Sequence, residues 1–360
     1  RLAIALYALA GGVALGYEVI WTQAIVQFLS TQAIAFSVVL ATYLCGLVIG
    51  SWLYSRFADR VKRPWLAFGI LIAGAGCSAL ATFALLGAWL PAAQDSLGKW
   101  LFSIFASDMV SNLARYALAA GTLLLLPTLL LGAAFPAATR LAVQPAHAGR
   151  DVGLVLALNT ALGIVGTITT GFVLIPRLGV AGSLGALAFI AAVIGAVAIA
   201  RSGQFRPASM ASAAMLVMVF AALAVALPRD RLATLLVDRQ GGELVFFDEG
   251  PAGTVAVLEQ AARSGNFRRL YIQGVSNTGD AMPSLRYMRL QSLIPLLIHP
   301  REMKSALVIG VGTGITAGAL LADPGLERRV VVELLQPVPE AAPFFAGNLG
   351  AGTDPGLEVR

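Results

Sequence analysis

Val180–Ala200 reads VAGSLGALAFIAAVIGAVAIA, twenty-one residues without a charge. A helix needs ~20 such residues to cross ~30 Å of hydrocarbon. Working outward, charged residues bracket six further apolar runs. Four precede it and one adjoins it: about Leu2 to Phe28, Ala33 to Tyr54, Trp65 to Leu90, Tyr116 to Ala138 and Gly153 to Pro176. The last, Ala208 to Leu227, follows it. These runs are too long for barrel strands, and only helices or closed barrels satisfy their backbone in lipid. Composition agrees: 58% of the 360 residues are hydrophobic, 12% are charged, and mean hydropathy is +0.80. A soluble domain carries about a quarter charged residues. The expectation is therefore a membrane all-α bundle of about seven transmembrane helices over residues 1–228, with the lipid bilayer as its solvent. The pairs Gly12/Gly16 and Gly46/Gly50 have the spacing that lets membrane helices pack closely.

The links between the runs alternate in charge. Arg56–Arg63, Arg140–Arg150 and Arg201–Arg206 are basic, Ser30 to Gln32 is uncharged, and Asp95 to Arg115 is balanced. Lys and Arg concentrate on the cytoplasmic side. That rule predicts a multi-pass protein of the cell (inner) membrane with the N-terminus and all three basic loops in the cytoplasm. Seven crossings then carry the C-terminal domain to the other side, whereas a domain using a cytoplasmic metabolite belongs inside, so its side stays open. The cluster Trp100, Leu101, Ile104 and Phe105 suits a helix lying in the outer interface. The net charge of +6 and pI near 9.7 are absorbed by these loops, and no nucleic-acid motif or basic stripe is present.

Glu18, in Gly16-Tyr-Glu-Val-Ile-Trp21, is the acidic residue set deep in an apolar run. Such a carboxylate is costly in a membrane and is paired or functional. A structural partner such as Arg115 or Arg140 is expected, with cation or proton transport as the alternative. Asn159, Thr160, Thr167, Thr169 and Thr170 read as interhelical hydrogen-bonding groups. Cys45 and Cys77 read as small core residues, His147 and His299 as loop or surface residues. No zinc spacing, catalytic triad or phosphate-loop lysine is visible, and no metal is expected.

After Pro228 the pattern changes period. Glu243–Asp248 and Thr254–Glu259 read as strands of a hairpin turning at Glu249–Gly253, with Asp248 and Glu249 solvated. Arg269–Gln273 reads as a third strand and Pro283–Ile298 as a helix. Residues 229–300 thus form a small β-rich unit. From 301 to 360 a partial Rossmann-like α/β domain opens. Strand Ser305–Gly310 runs into Gly310-Val-Gly-Thr-Gly314, then a helix over Ile315–Leu321, then strand Arg329–Glu333. Glycines let a ligand approach the backbone, and an acid about 20 residues on accepts ribose hydroxyls; Glu333 lies 19 residues after Gly314. This order of parts suits a dinucleotide or an S-adenosyl compound alike. At Arg360 roughly half of such a sheet is accounted for.

The chain resembles the membrane-fused spermidine synthase-like family, in which a bundle related to major facilitator transporters precedes a polyamine aminopropyltransferase domain. Gly16–Trp21, Gly46–Ser51 with Ala58–Arg60, Leu131–Pro136, Asn159–Gly163, Tyr271–Gly274, Leu307–Gly314 and Val332-Glu333 carry the resemblance. It implies decarboxylated S-adenosylmethionine as co-substrate on Gly310, Gly312, Thr313 and Gly314, with Glu333 on the ribose. It also implies a polyamine acceptor near Gln273, Asp280 and Tyr287, and leaves room for protein partners in the membrane. The departures are specific. The active enzymes' turn aspartate is Thr313 here, and their Tyr-His-Glu is Tyr287-Met288-Arg289. The chain ends before the family's catalytic aspartate, so no catalytic residue is assigned. Two functions follow: a membrane-tethered aminopropyltransferase, or an inactive structural subunit or transporter-like bundle with a nucleoside-sensing domain.

Overall fold

Ala148–Ser202 is one helical stretch of 55 residues. At 1.5 Å per residue a straight helix of that length would span about 80 Å, well over twice one bilayer crossing. It is broken at Gly179, whose φ of 71° and ψ of 178° are non-helical. The stretch therefore contains both the fifth and the sixth expected segments. Among the described residues, six helical stretches are long and apolar enough to cross a membrane. The computed structural model describes residues 1–28, 32–262 and 265–360; most of the uncharged link at Ser30–Gln32 lies outside them. The chain divides into two compact units, Arg1–Leu232 and Ala233–Arg360.

Among its described residues, the regular structure of the first unit is helical: α1 (Leu2–Val26), α2 (Gln32–Phe57), α3 (Pro64–Ala84), α4 (Trp89–Phe105), α5 (Asp108–Ala120), α6 (Leu126–Ala142), α7 (Ala148–Thr169), α8 (Ile175–Ser202) and α9 (Pro207–Ala226). Single π turns, Gly121–Leu125 and Thr170–Leu174, join α5 to α6 and α7 to α8. Small residues set the packing, as their spacing predicts. A Cβ on Gly166 would fall on the Gly12 backbone, one on Gly50 on the Leu129 carbonyl, and one on Gly132 on Leu47. Asn159 Nδ2 donates to the Tyr7 carbonyl at 2.9 Å, the interhelical bond expected of it. Thr167 instead bonds Gly163 in its own helix.

The outward faces are apolar. Val225 on α9 is 86% exposed, and Val48, Trp52, Phe172 and Met218 are exposed as well. Cys45 and Cys77, expected in the core, are also exposed; both sit on outward-facing helix surface rather than between helices. The Trp100 region forms an antiparallel hairpin of α4 and α5 that turns at Ala106 (φ 49°). Gln94 Nε2 donates to the Arg115 carbonyl at 2.9 Å, and Arg115 faces Asp95 at 3.8 Å. The fourth expected segment thus begins earlier, within a 35-residue stretch from Asp108 to Ala142.

The three basic links meet at one end of this unit. Arg140 donates to the carbonyls of Ala58 and Val61, and the Arg201 guanidinium lies 6.0 Å from the Trp65 ring centroid. At the other end of α3, Arg231 donates to the carbonyls of Ala84 and Leu86. The first unit is therefore left at the end opposite its basic links.

The second unit begins within α10 (Arg231–Gln240). Strands β1 (Glu243–Gly250), β2 (Gly253–Ala262), β3 (Gly265–Ile272) and β4 (Val275–Gly279) form an antiparallel sheet in sequence order. The first hairpin turns in two residues, Pro251 and Ala252, so Asp248 and Glu249 belong to β1 and are half-buried rather than solvated at a turn. Strand β4 escaped the sequence reading. Gln273 and Gly274, at φ 50° and 73°, make the two-residue turn that creates it. Positive φ at both positions is what such hairpins require. Helix α11 (Met282–Ile298) follows. A parallel sheet in the order β5 (Ser305–Ile309), β6 (Arg328–Val332), β7 (Glu358–Val359) completes the unit, with α12 (Ile315–Ala319) after β5 and α13 (Pro337–Ala341) after β6.

One core joins the two sheets: Val255, Val257 and Leu270 pack with Val311, Val331, Val338, Phe345 and Leu357. On the other face of the antiparallel sheet, Leu236 of α10 packs on Ala256, Leu258 and Tyr271. Burial on both faces explains why β2 reads as a continuous apolar run.

Candidate functional site

The glycine turn sits where β5 gives way to α12. Gly310, Gly312 and Gly314 take φ values of 92°, 54° and 77°, a region that side chains other than glycine enter only at a cost. A Cβ on Gly310 or Gly312 would meet nothing within 4 Å, whereas one on Gly314 would press on Ala351 at 3.0 Å. Two of the glycines thus line open space, and the third is needed for packing against the chain behind it. Gly310 N–H donates to the Val332 carbonyl at 2.8 Å, fixing the turn to β6.

Glu333 stands at the tip of β6, beside the turn. Its Oε2 accepts from Val311 N–H at 2.8 Å, and its Oε1 accepts from Leu334 and Leu335 N–H at 2.8 and 2.9 Å. A carboxylate offers about four acceptor positions, and three are taken by this chain's own backbone. One ribose hydroxyl can be accepted without rearrangement. A second would displace one of the amides.

Thr313 is 1% exposed. Its hydroxyl lies 3.5 Å from Met288 Sδ, and its carbonyl accepts from Asn348 Nδ2 at 3.3 Å. The side chain is therefore turned toward α11, not toward the open side of the turn. Asn348 also donates to Ala342 O at 2.8 Å and accepts from Gly350 N–H through Oδ1. Sequence reasoning missed this residue, although an amide before Leu-Gly-Ala-Gly is a turn signal.

The acceptor-side residues are spread over several elements. Asp280 Oδ1 accepts from Arg268 N–H at 2.6 Å and Oδ2 from Ala346 N–H at 2.9 Å, so this carboxylate clamps β3 to the segment after α13. Gln273 Nε2 donates to Ala252 O at 3.1 Å across adjacent hairpin turns. Tyr287 is exposed and its hydroxyl accepts from Gln291 Nε2. Arg289 Nη2 donates to Gly347 O at 2.8 Å, so its charge is tied to the protein. Glu259, on β2, is held below the usual carboxylate range by hydrogen bonds from Asn266 and Arg268.

In the first unit, Glu18 has neither expected partner. Arg115 is turned to Asp95 and Arg140 to backbone carbonyls; helix geometry carries both arginines to the ends of the unit. His147 and His299 are exposed as expected. Among the described residues, no group of three or more His, Cys, Asp or Glu side chains is placed to hold a metal ion.

Strand, glycine turn, helix, strand and terminal acid define the class of the second unit: a Rossmann-like α/β fold preceded by a four-stranded antiparallel sheet. The chain is similar to the polyamine aminopropyltransferases of Mycobacterium tuberculosis (strains H37Rv and CDC 1551) and Mycobacterium bovis. It is 30% identical to each over 337 residues, which is 89% of this chain and 58% of theirs. The chain thus spans less than two thirds of the length of these relatives. No family model matches it.

Proposed function

We propose that this chain is a membrane-bound, spermidine synthase-like protein that transfers an aminopropyl group from decarboxylated S-adenosylmethionine to a polyamine. What chiefly supports the reading is similarity to polyamine aminopropyltransferases that runs through both units. In the reaction, the amine nitrogen of a polyamine forms a bond to the propyl carbon next to the sulfonium of decarboxylated S-adenosylmethionine. The C–S bond breaks, its electron pair leaves with the neutral thioether, and the amine loses a proton. Gly310 and Gly312 would floor the nucleoside, and Glu333 would accept a ribose hydroxyl at its remaining position. Asp280 and Gln273, both committed to backbone, would shape the acceptor side rather than bind the cation. The test is mass spectrometry of the membrane-inserted protein with decarboxylated S-adenosylmethionine and putrescine. The expected product is putrescine heavier by one aminopropyl group. Donor binding without any product would end this reading.

Met288 and Arg289 favour a second reading, an inactive structural or nucleoside-sensing subunit with protein partners in the membrane. A guanidinium at 289 repels a polyamine, and Met288 offers no proton-transfer group.

The bilayer supplies the setting for either reading. Contiguous exposed apolar faces of this extent belong in lipid, and the basic ends of the helices belong in the cytoplasm of a cell-membrane protein. The position of Arg231, at the end of α3 opposite the basic links, supports a chain that leaves the membrane unit on the outer side. Single cysteines placed at Arg60 and at Gly265, in a background lacking Cys45 and Cys77, are expected to label from opposite sides of sealed vesicles. Labelling from one side would refute this orientation.

A further inference from the structure

Inside the helical unit lies a cavity of about 230 Å³ lined by Tyr7, Gly11, Tyr43, Leu131, Asn159 and Thr160, among others. It adjoins a second cavity, of about 490 Å³, that shares Tyr7, Leu47 and Leu131 and extends to Ser51 and Trp52. Together they match the few-hundred-Å³ scale of small-molecule sites. The polar lining is of one kind: hydroxyls of Tyr7, Tyr43 and Thr160, and the Asn159 amide, whose Nδ2 is committed to Tyr7 O and whose Oδ1 is left as acceptor. Among the described residues, no lysine or arginine lines either cavity.

Glu18 continues the lining face of α1. Gly11, Ala14 and Leu15 line the cavity, and positions three, four and seven apart share one face of a helix. No salt bridge engages Glu18 among the described residues. At the same end, Tyr17 Oη is buried without a hydrogen-bond partner among the described residues. Tyr43 and Trp21 rings lie 6.5 Å apart, and Trp21 stacks on Tyr17 at 5.2 Å.

An acceptor-lined, aromatic cavity without a positive charge among its described lining residues, and with a carboxylate one turn further along the α1 face that lines it, suits a cation with an apolar stem. Aromatic faces attract ammonium groups strongly when desolvated, and an unpaired carboxylate in a membrane marks a functional position. We propose that this cavity binds a small primary-amine cation, with Glu18 as its counter-ion and the tyrosines, Asn159 and Thr160 as acceptors. The site is separate from the donor site of the second unit and stands whether or not that unit transfers aminopropyl groups.

The test is equilibrium binding of radiolabelled putrescine to the purified full chain in nanodiscs, with 1,4-butanediol as neutral competitor. Putrescine is expected to bind and butanediol not to compete. Glu18→Gln is expected to weaken binding tenfold or more, and Tyr43→Phe several-fold. Aminopropyl transfer, assayed on the same samples, is expected to be unchanged by either substitution. Putrescine binding unaffected by Glu18→Gln would place the amine elsewhere and overturn the proposal, as would equal competition by butanediol. Should Glu18→Gln fail to fold, Tyr43→Phe and the diol competition decide the matter. Loss of transfer activity in the wild type, with the binding pattern intact, would bear on the transferase reading alone.

Discussion

Replacing Glu333 with alanine is expected to remove donor binding and to destabilise the second unit together. The carboxylate accepts three backbone amides, from Val311, Leu334 and Leu335. It therefore ties the glycine turn to the chain that follows β6. A hydrogen bond to a charged group contributes about 1.5–3 kcal/mol. Leu334 is exposed and Glu333 half-buried, so water replaces part of what is lost. The expected loss is about 2–3 kcal/mol, on the order of 10 °C in the unfolding midpoint for a unit of this size. Glu333→Gln retains one acceptor oxygen and should fall between wild type and alanine. Thermal unfolding of the purified full chain with and without decarboxylated S-adenosylmethionine reads both effects. An alanine variant with unaltered midpoint and unaltered ligand response would show that Glu333 has neither role.

Gly312→Val separates the two effects. The Cβ itself meets open space, so no neighbour is displaced. The backbone at φ 54° is a poor one for a β-branched residue, at a cost of about 1–2 kcal/mol. The added isopropyl group then stands where the nucleoside is expected to lie. Calorimetry should show donor affinity falling by more than a hundredfold, with the unit still folded. Equal affinity in the variant would mean that the ligand does not lie on this turn. Opposite results for the two substitutions are informative too: loss with Glu333→Ala alone points to a structural rather than a binding carboxylate.

Much of this was legible in the sequence because single physical rules dominate it. Helix length and lack of charge located the membrane-type helices, apart from the extension back to Asp108 and the third run, read on to Leu90 where its helix ends at Ala84. The strand–turn–helix–strand order fixed the Rossmann-like unit and put Glu333 beside the glycine turn. What stayed hidden depends on partners distant in the chain. Val275–Gly279 is too short and polar to announce a strand, and forms one because Gln273-Gly274 turns it back onto β3. Asp280 looked like a substrate carboxylate, since nothing nearby in sequence says that its partners are the amides of Arg268 and Ala346. The expected arginine partner for Glu18 failed for a related reason: charge complementarity suggests pairs, but helix geometry places Arg115 and Arg140 at the ends of the bundle.

The bonds of Asn348 carry a consequence for how the molecule is made. Its side chain holds the carbonyls of Thr313 and Ala342 and the Gly350 amide, thirty-five residues beyond the turn that it braces. During synthesis on the ribosome, the glycine turn emerges well before the residue that locks its shape. Until Asn348 arrives, that turn is an unfinished joint, and the order of translation decides when it closes.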